Sequence, residues 1–88
     1  MKIKIYTTIH CPYCRMAKEY FEKRNIEFEE IDVSNDEAAA ERMIEISGQM
    51  GVPVIEVNGK IIIGFNKPKI KMLISQKHER KNSMLKYI

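Results

Sequence analysis

The stretch "VPVIEVNGKIII", Val52 to Ile63, decides how the chain folds. Two β-rich runs flank Asn58-Gly59, the pair that a two-residue type I′ hairpin prefers because both positions tolerate φ > 0. The stretch therefore predicts two antiparallel strands joined by a tight turn, with Gly64 breaking the second. One residue in it is out of place. Proline lacks the N–H that a sheet ladder uses, so Pro53 at the head of a strand counts against the assignment. The conflict disappears if the Val52–Pro53 bond is cis at the strand entrance. Val52 would then present free backbone groups to an extended partner peptide.

Upstream, Ile3 and Ile5 alternate with Lys2, Lys4 and Tyr6, which predicts a half-buried strand. Cys14, Ala17 and Phe21 fall at i, i+3 and i+7 with Tyr20 beside them, a helix face that Arg24-Asn25 closes. "IEFEEIDV", residues 26–33, reads as a second strand whose alternation slips between Phe28 and Ile31, as a bulge or a fully packed strand would make it. Ser34 and Glu37 fit a capping box opening a helix from Asn35 to about Ser47, with Met43, Ile46 and Met50 as its core stripe. Downstream, a last helix starts near Pro68 with Ile70, Leu73 and Ile74 inward. The order is β-α-β-α-β-β-α. A helix between the first two strands makes them a parallel pair with a right-handed crossover. An α/β fold follows, a four-stranded mixed sheet flanked by helices.

Eighty-eight residues are enough for one domain with a modest core. Apolar residues at 44% and charged residues at 31% give a globular balance. No apolar run approaches the roughly 18 residues of a membrane span, and the opening MKIKIYTT has no apolar h-region, so the cytoplasm and no membrane partner are expected. The net charge of +3 is unevenly placed: from Lys67 onward there are seven basic residues and one acid, Glu79. With no recognised nucleic-acid module, this basic end reads as a solvated helix face plus a tail, and no nucleic-acid partner is expected. Residues 1–76 are assigned to the domain and 77–88 to a basic C-terminal extension.

The only two cysteines lie in "TTIHCPYCRMAK", Thr7 to Lys18. A structural staple across two intervening residues would restrain the unfolded chain very little. A closed zinc site needs four ligands, and the chain offers Cys11, Cys14, His10 and His78, with His78 far off in the tail. A dimer pooling two such pairs remains the metal alternative. Redox chemistry suits the spacing better. Pro12 belongs at the first helical position, where its missing N–H would have no partner anyway. Cys11 then stands at the N-cap, where unpaired amides and the positive dipole end favour a thiolate and lower its pKa, with Arg15 and His10 adding to the effect. Cys14 lies one turn deeper and within disulfide reach. Cys11 is expected to attack and Cys14 to resolve.

"IYTTIHCPYCRMAKEYF" together with "SGQMGVPVIEVNGKIIIGF" resembles the glutaredoxins of the thioredoxin-fold superfamily, from Lys2 to about Leu73. The resemblance implies a monomeric thiol–disulfide oxidoreductase with Cys11 as nucleophile and Cys14 as resolving thiol. It implies that Pro12, Tyr13 and Arg15 support the site and that disulfide-containing proteins are substrates. It further implies no tightly bound cofactor, glutathione as co-substrate, and contacts to it or to substrate from Tyr13, Gln49, Val52, Pro53, Gly64 and Phe65. The departures from the family cluster. Thr8 stands where glutathione sites carry a lysine, Met50-Gly51 where they often carry Arg-Thr, and Gly64-Phe65-Asn66-Lys67 where they carry Gly-Gly and an acidic pair. "IGF" is more similar to the redoxins that serve ribonucleotide reductase and take electrons from thioredoxin reductase, which makes that reductase the alternative donor. An iron–sulfur dimer is the remaining alternative that the family offers.

Overall fold

The computed structural model describes residues 2–75. The expected domain limit at residue 76, the extension 77–88 and His78 lie outside them. The elements are β1 (Ile3–Thr7), α1 (Pro12–Lys23), β2 (Glu29–Asp32), α2 (Glu37–Ser47), β3 (Val54–Val57) and β4 (Lys60–Ile63). A third helix, α3, begins at residue 67 and is described to residue 75. The sheet order is β2-β1-β3-β4, with β1 and β2 parallel and β1–β3 and β3–β4 antiparallel. This is the expected order and mixture.

The hairpin forms as its turn chemistry requires. Asn58 and Gly59 both have positive φ, 50° and 87°, and Val57 pairs with Lys60 across the turn. The Asn58 side chain also accepts from Lys2 N–H at 2.8 Å, which ties the turn to the start of β1. β1, β3 and β4 each feed two cores. Ile3, Ile5, Ile55 and Ile62 face α1 and α3, meeting Ala17, Tyr20, Phe21, Ile70 and Leu73. On the opposite face, Tyr6 and Val54 meet Met43 of α2. β1 is therefore a central strand packed on both sides, not the half-buried strand that its alternation predicts, and Tyr6 is 2% exposed. Its lysines hide this, because Lys2 and Lys4 precede the point where α2 covers the second face.

The slip in the second strand has a plain cause. β2 is only four residues long, lies at the sheet edge and pairs in unbroken register from Lys4↔Glu29 to Thr7↔Asp32, so it is neither bulged nor fully packed. Phe28 precedes it and packs into the α1 core, while Ile31 and Val33 pack into the α2 core. One segment serving opposite faces breaks any simple alternation.

The helix ends follow local rules, with one correction. α1 closes with Asn25 at φ 55°, Asn25 N–H on Glu22 C=O and Ile26 N–H on Phe21 C=O, a Schellman arrangement with asparagine as its left-handed residue. α2 begins at Glu37, and Asp36, not Ser34, caps it by accepting from Ala39 N–H at 3.1 Å. Ser34 is occupied elsewhere, donating both its N–H and its hydroxyl to Asp32 Oδ1. Those bonds hold the Asp32 carboxyl below its ordinary range. Met50 also departs from expectation: α2 ends at Ser47 with Gly48 as left-handed cap, so Met50 lies beyond the helix and is 77% exposed.

One polar contact pins α1 to the sheet. Glu30 accepts from the Thr7 hydroxyl at 3.0 Å and from Lys18 Nζ at 2.8 Å. The Lys18 ammonium holds the Glu30 carboxyl below its ordinary 4.5, with the Thr7 hydroxyl assisting and partial desolvation opposing. A depressed folded pKa contributes stability above the unfolded value and loses it as pH falls through the folded one. Glu30 is 41% exposed, so solvent screening limits the pair to about 0.2–1 kcal/mol. Glu30→Gln should therefore cost about that much at pH 7 and nothing once the wild-type carboxyl is protonated. Urea midpoints at pH 7 and pH 3 measure it, and parallel acid losses in both proteins would contradict the assignment.

Candidate active site

The site grows from the C-terminal end of β1. Thr7 is 1% exposed, its hydroxyl bonded to Glu30 and its carbonyl accepting from Val33 N–H at 2.9 Å. The loop that leaves it, from Thr8 to His10, thus starts from a fixed point and delivers Cys11 to the head of α1. Cys11 is the N-cap, with φ −133° and ψ 102°, and Pro12 is the first helical residue. Cys11 Sγ accepts from Cys14 N–H at 3.1 Å, and Cys11 C=O accepts from Arg15 N–H at 3.1 Å. The sulfur occupies the place that an oxygen takes in an ordinary N-cap. No acid stands in the first turn of α1 to oppose negative charge there.

Cys11 and Cys14 are joined as a disulfide, with their Cα atoms 5.2 Å apart. Their surroundings differ. Cys14 is 1% exposed, beside the Ala17 and Phe21 face, while Cys11 is half-buried at the rim. An attacker from outside the protein can reach only one of the two sulfurs. Among the described residues no group of three His, Cys, Asp or Glu side chains is arranged to hold a metal ion. His10 is an exposed loop residue.

The other expected site residues divide by what already occupies them. The Val52–Pro53 bond is cis, and Pro53 C=O accepts from Gly64 N–H at 2.8 Å. That bond fastens the proline loop to the end of β4, where Gly64 has φ 79°. Val52 is half-buried and packs against the α2 core. Tyr13 is 62% exposed, and Arg15 is exposed. Phe65 turns inward, edge-to-face with Tyr20 at 6.0 Å. Gln49 is committed to its own loop: its Oε1 accepts from Gly51 N–H at 2.7 Å and its Nε2 donates to Gly51 C=O at 3.0 Å. A Cβ at Gly51 would lie 2.8 Å from Gln49 Oε1, so glycine there is what lets the amide dock.

Sequence reasoning missed three residues around this site. Glu30 is one of four acids between Glu27 and Asp32, and nothing local marks its reach to Thr7 and Lys18. Asn66 caps α3 by accepting from Lys69 N–H at 3.2 Å, a signal present in Asn66-Lys67-Pro68 but left unused. Arg24 lies 3.6 Å above the Tyr20 ring and donates to Tyr20 C=O at 3.2 Å. Its i+4 spacing on α1 allowed the contact without requiring it.

A helix whose N-cap is one of a cysteine pair, set beside a cis-proline loop on a four-stranded mixed sheet, defines a thioredoxin-fold dithiol protein. The Glutaredoxin family model matches residues 3–62. The chain belongs to that family. It is 47% identical over 74 residues to a glutaredoxin-like 8.6 kDa protein of the rubredoxin operon in Clostridium pasteurianum, covering 84% of this chain and 99% of that one. Glutaredoxin 3 of Escherichia coli K12 is 36% identical over 62 residues, 70% of this chain and 75% of the relative. Among solved structures, the NrdH-redoxin of Escherichia coli aligns with TM-score 0.74 and 33% identity, covering 83% of this chain and 95% of that one.

The Gln49 clamp yields a test. Gln49→Ala removes both bonds to Gly51 on an exposed loop, and a net loss of about 0.5–1.5 kcal/mol per bond is expected as an upper range. Urea denaturation should show a drop of about 1–2 kcal/mol, and a fully stable variant would mean that the clamp holds nothing.

Proposed function

We propose that the chain reduces protein disulfides, with Cys11 as the attacking thiol and Cys14 as the resolving one. The observation that carries this reading is the asymmetry of the pair: Cys11 half-buried at a helix N-cap, Cys14 buried one turn below it. In the reduced protein, Cys11 thiolate attacks one sulfur of a substrate disulfide. A Cys11–substrate bond forms, and the other substrate sulfur leaves as a thiolate that takes up a proton. Cys14, deprotonated in turn, attacks Cys11 Sγ and releases the second substrate thiolate. Two electrons pass to the substrate, and the Cys11–Cys14 disulfide remains. Pro12 fixes the start of the helix for this exchange, and Tyr13 and Arg15 stand exposed beside it. Val52, which makes no main-chain hydrogen bond to another described residue, offers its backbone to the substrate next to Pro53. A reducing compartment such as the cytoplasm suits a disulfide made and broken in each cycle.

Thiol alkylation of the reduced protein across pH tests the attacking role. Cys11 should react with a midpoint clearly below the ordinary value of about 8.5, and a midpoint at that value would sink the N-cap argument. Cys11→Ser should abolish turnover, whereas Cys14→Ser should accumulate a mixed disulfide with substrate, visible by mass. Failure to trap would reverse or remove the assigned roles.

A second reading concerns the electron donor. Glutathione, the co-substrate implied by the family, would meet few charged partners here. Thr8 is uncharged, Met50 is exposed and apolar, Phe65 is packed inward, Asn66 is spent on capping α3, and Gln49 is tied to Gly51. Each charge-assisted contact absent forgoes about 1.5–3 kcal/mol of binding. The similar NrdH-redoxin is described as having a thioredoxin-like activity profile, which supports thioredoxin reductase as donor. The oxidised protein should be reduced faster by thioredoxin reductase with NADPH than by millimolar glutathione. Preference for glutathione would return the chain to the ordinary branch of its family.

A further inference from the structure

A groove between α1 and the start of α3 is left unexplained by the dithiol chemistry. Two adjoining cavities, of about 220 and 340 Å³, share Tyr20, Arg24 and Lys67 in their walls. Lys23 completes the cationic rim of the first and Lys71 that of the second. Among the described residues none of these four cations makes an ion pair; the salt bridge formed there is Lys18–Glu30. The single carboxylate in the walls is Glu19, and it pairs with none of them. Apolar side chains line the groove too, Met16 and Phe65 in the first cavity and Pro68 in the second.

Tyr20 supplies an independent sign of a ligand. It is 5% exposed, it lines both cavities, and its hydroxyl has no hydrogen-bond partner among the described residues. A buried phenol normally finds one. The cations around it cannot accept its proton and Glu19, the carboxylate in the walls, does not, so an acceptor has to come from outside the described residues.

We propose that this groove docks an acidic segment of the disulfide-bearing protein substrate, a proposal that rests on the redox reading of Cys11 and Cys14. Charge selects the occupant: four unpaired cations around an unsatisfied donor fit carboxylates. Size excludes a lone inorganic anion, since the two cavities together hold several side chains and their apolar lining rewards apolar atoms. The chain's own residues 76–88 do not match, because they carry Lys77, Arg80, Lys81 and Lys86 against one acid, Glu79. Position links the groove to the chemistry. Met16 is two residues past Cys14, and Lys23 and Arg24 lie about 14–20 Å along α1 from the cysteines at 1.5 Å per residue. An extended peptide covers that distance in about four to six residues. The acids are therefore placed about four to six residues from the substrate cysteine.

The test uses the full-length protein, reduced chemically, and three disulfide-linked peptides carrying a Glu pair, a Gln pair or a Lys pair five residues from the cysteine. Single-turnover reduction of the Glu peptide should exceed that of the Lys peptide about tenfold or more at low salt, and the ratio should fall towards one near 1 M salt. The double substitution Lys23→Glu/Lys71→Glu should collapse or invert the ratio. A fluorescent Glu peptide without a disulfide, followed by anisotropy, separates docking from chemistry. Salt-sensitive binding that the double variant loses supports the groove even where no peptide is reduced. Tyr20→Phe keeps the ring and removes the donor, so it should weaken that binding about two- to tenfold without lowering the melting temperature. Equal rates for the three peptides, with anisotropy that the double variant leaves unchanged, would overturn the proposal.

Discussion

The seating of α1 against the centre of the sheet is the constraint on which the rest of the structure depends. Ala17 and Phe21 are 0% exposed against Ile5, Ile55 and Ile62, and alanine's bare Cβ is what allows the helix axis to come so close. The Glu30 bridge to Thr7 and Lys18 ties the middle of the helix to the sheet, and the Schellman end at Asn25 fixes where it stops. With α1 seated on the sheet through Ala17 and Phe21, the position of its first turn is no longer free. Cys11 must stand at the mouth of the β1 loop, and Cys14 must point into the core. The unequal exposure of the two sulfurs is a consequence of packing rather than a separate feature.

The same seating leaves a cationic surface away from the reacting atoms. With the inner face of α1 buried, its outer face from Met16 to Arg24 is presented to α3, and the two helices form a valley. In glutaredoxin-like sites that hold glutathione, charges gather at the proline loop and the strand end. Here those places carry Thr8, Met50, Gly51 and Phe65, and the cations lie in the α1–α3 valley instead. The fold is unchanged by this rearrangement, since every one of those cations is exposed and none is needed for the core.

Legibility in the sequence tracked how local the determining physics was. Asn58-Gly59 specifies its turn through the φ preferences of two residues, and Pro53 announces its cis bond through a conflict within one strand, so both could be read directly. The cysteine pair was equally legible, because Pro12 at the first helical position places Cys11 at the cap. Non-local determinants were not. Tyr6 is buried only because α2 covers the second face, and Phe28 and Ile31 look misphased only because they serve different cores. Ser34-x-x-Glu37 satisfied a capping pattern, yet Asp32 captured Ser34 and left Asp36 to cap α2. In the site, the reacting residues were visible in the sequence while the commitments of Gln49, Asn66 and Arg24 were not, since each depends on a neighbour that the turn or helix brings near.

These commitments separate what the chain shares with its family from what is its own. A thiol pair at a helix cap beside a cis-proline loop needs a buried second sulfur, an open approach to the first and a backbone left free to pair, and all of these follow from α1, β3 and the loop that ends at Pro53. None of them requires charge. Charge can therefore vary over the surface without disturbing the exchange itself, and it is the surface that distinguishes one partner from another. In this chain the proposed docking would divide the work between the rim near the sulfurs, where Arg15 is the exposed cation, and the cationic valley beside it. On that proposal the rim admits any disulfide that fits, and the valley selects among the proteins that carry one.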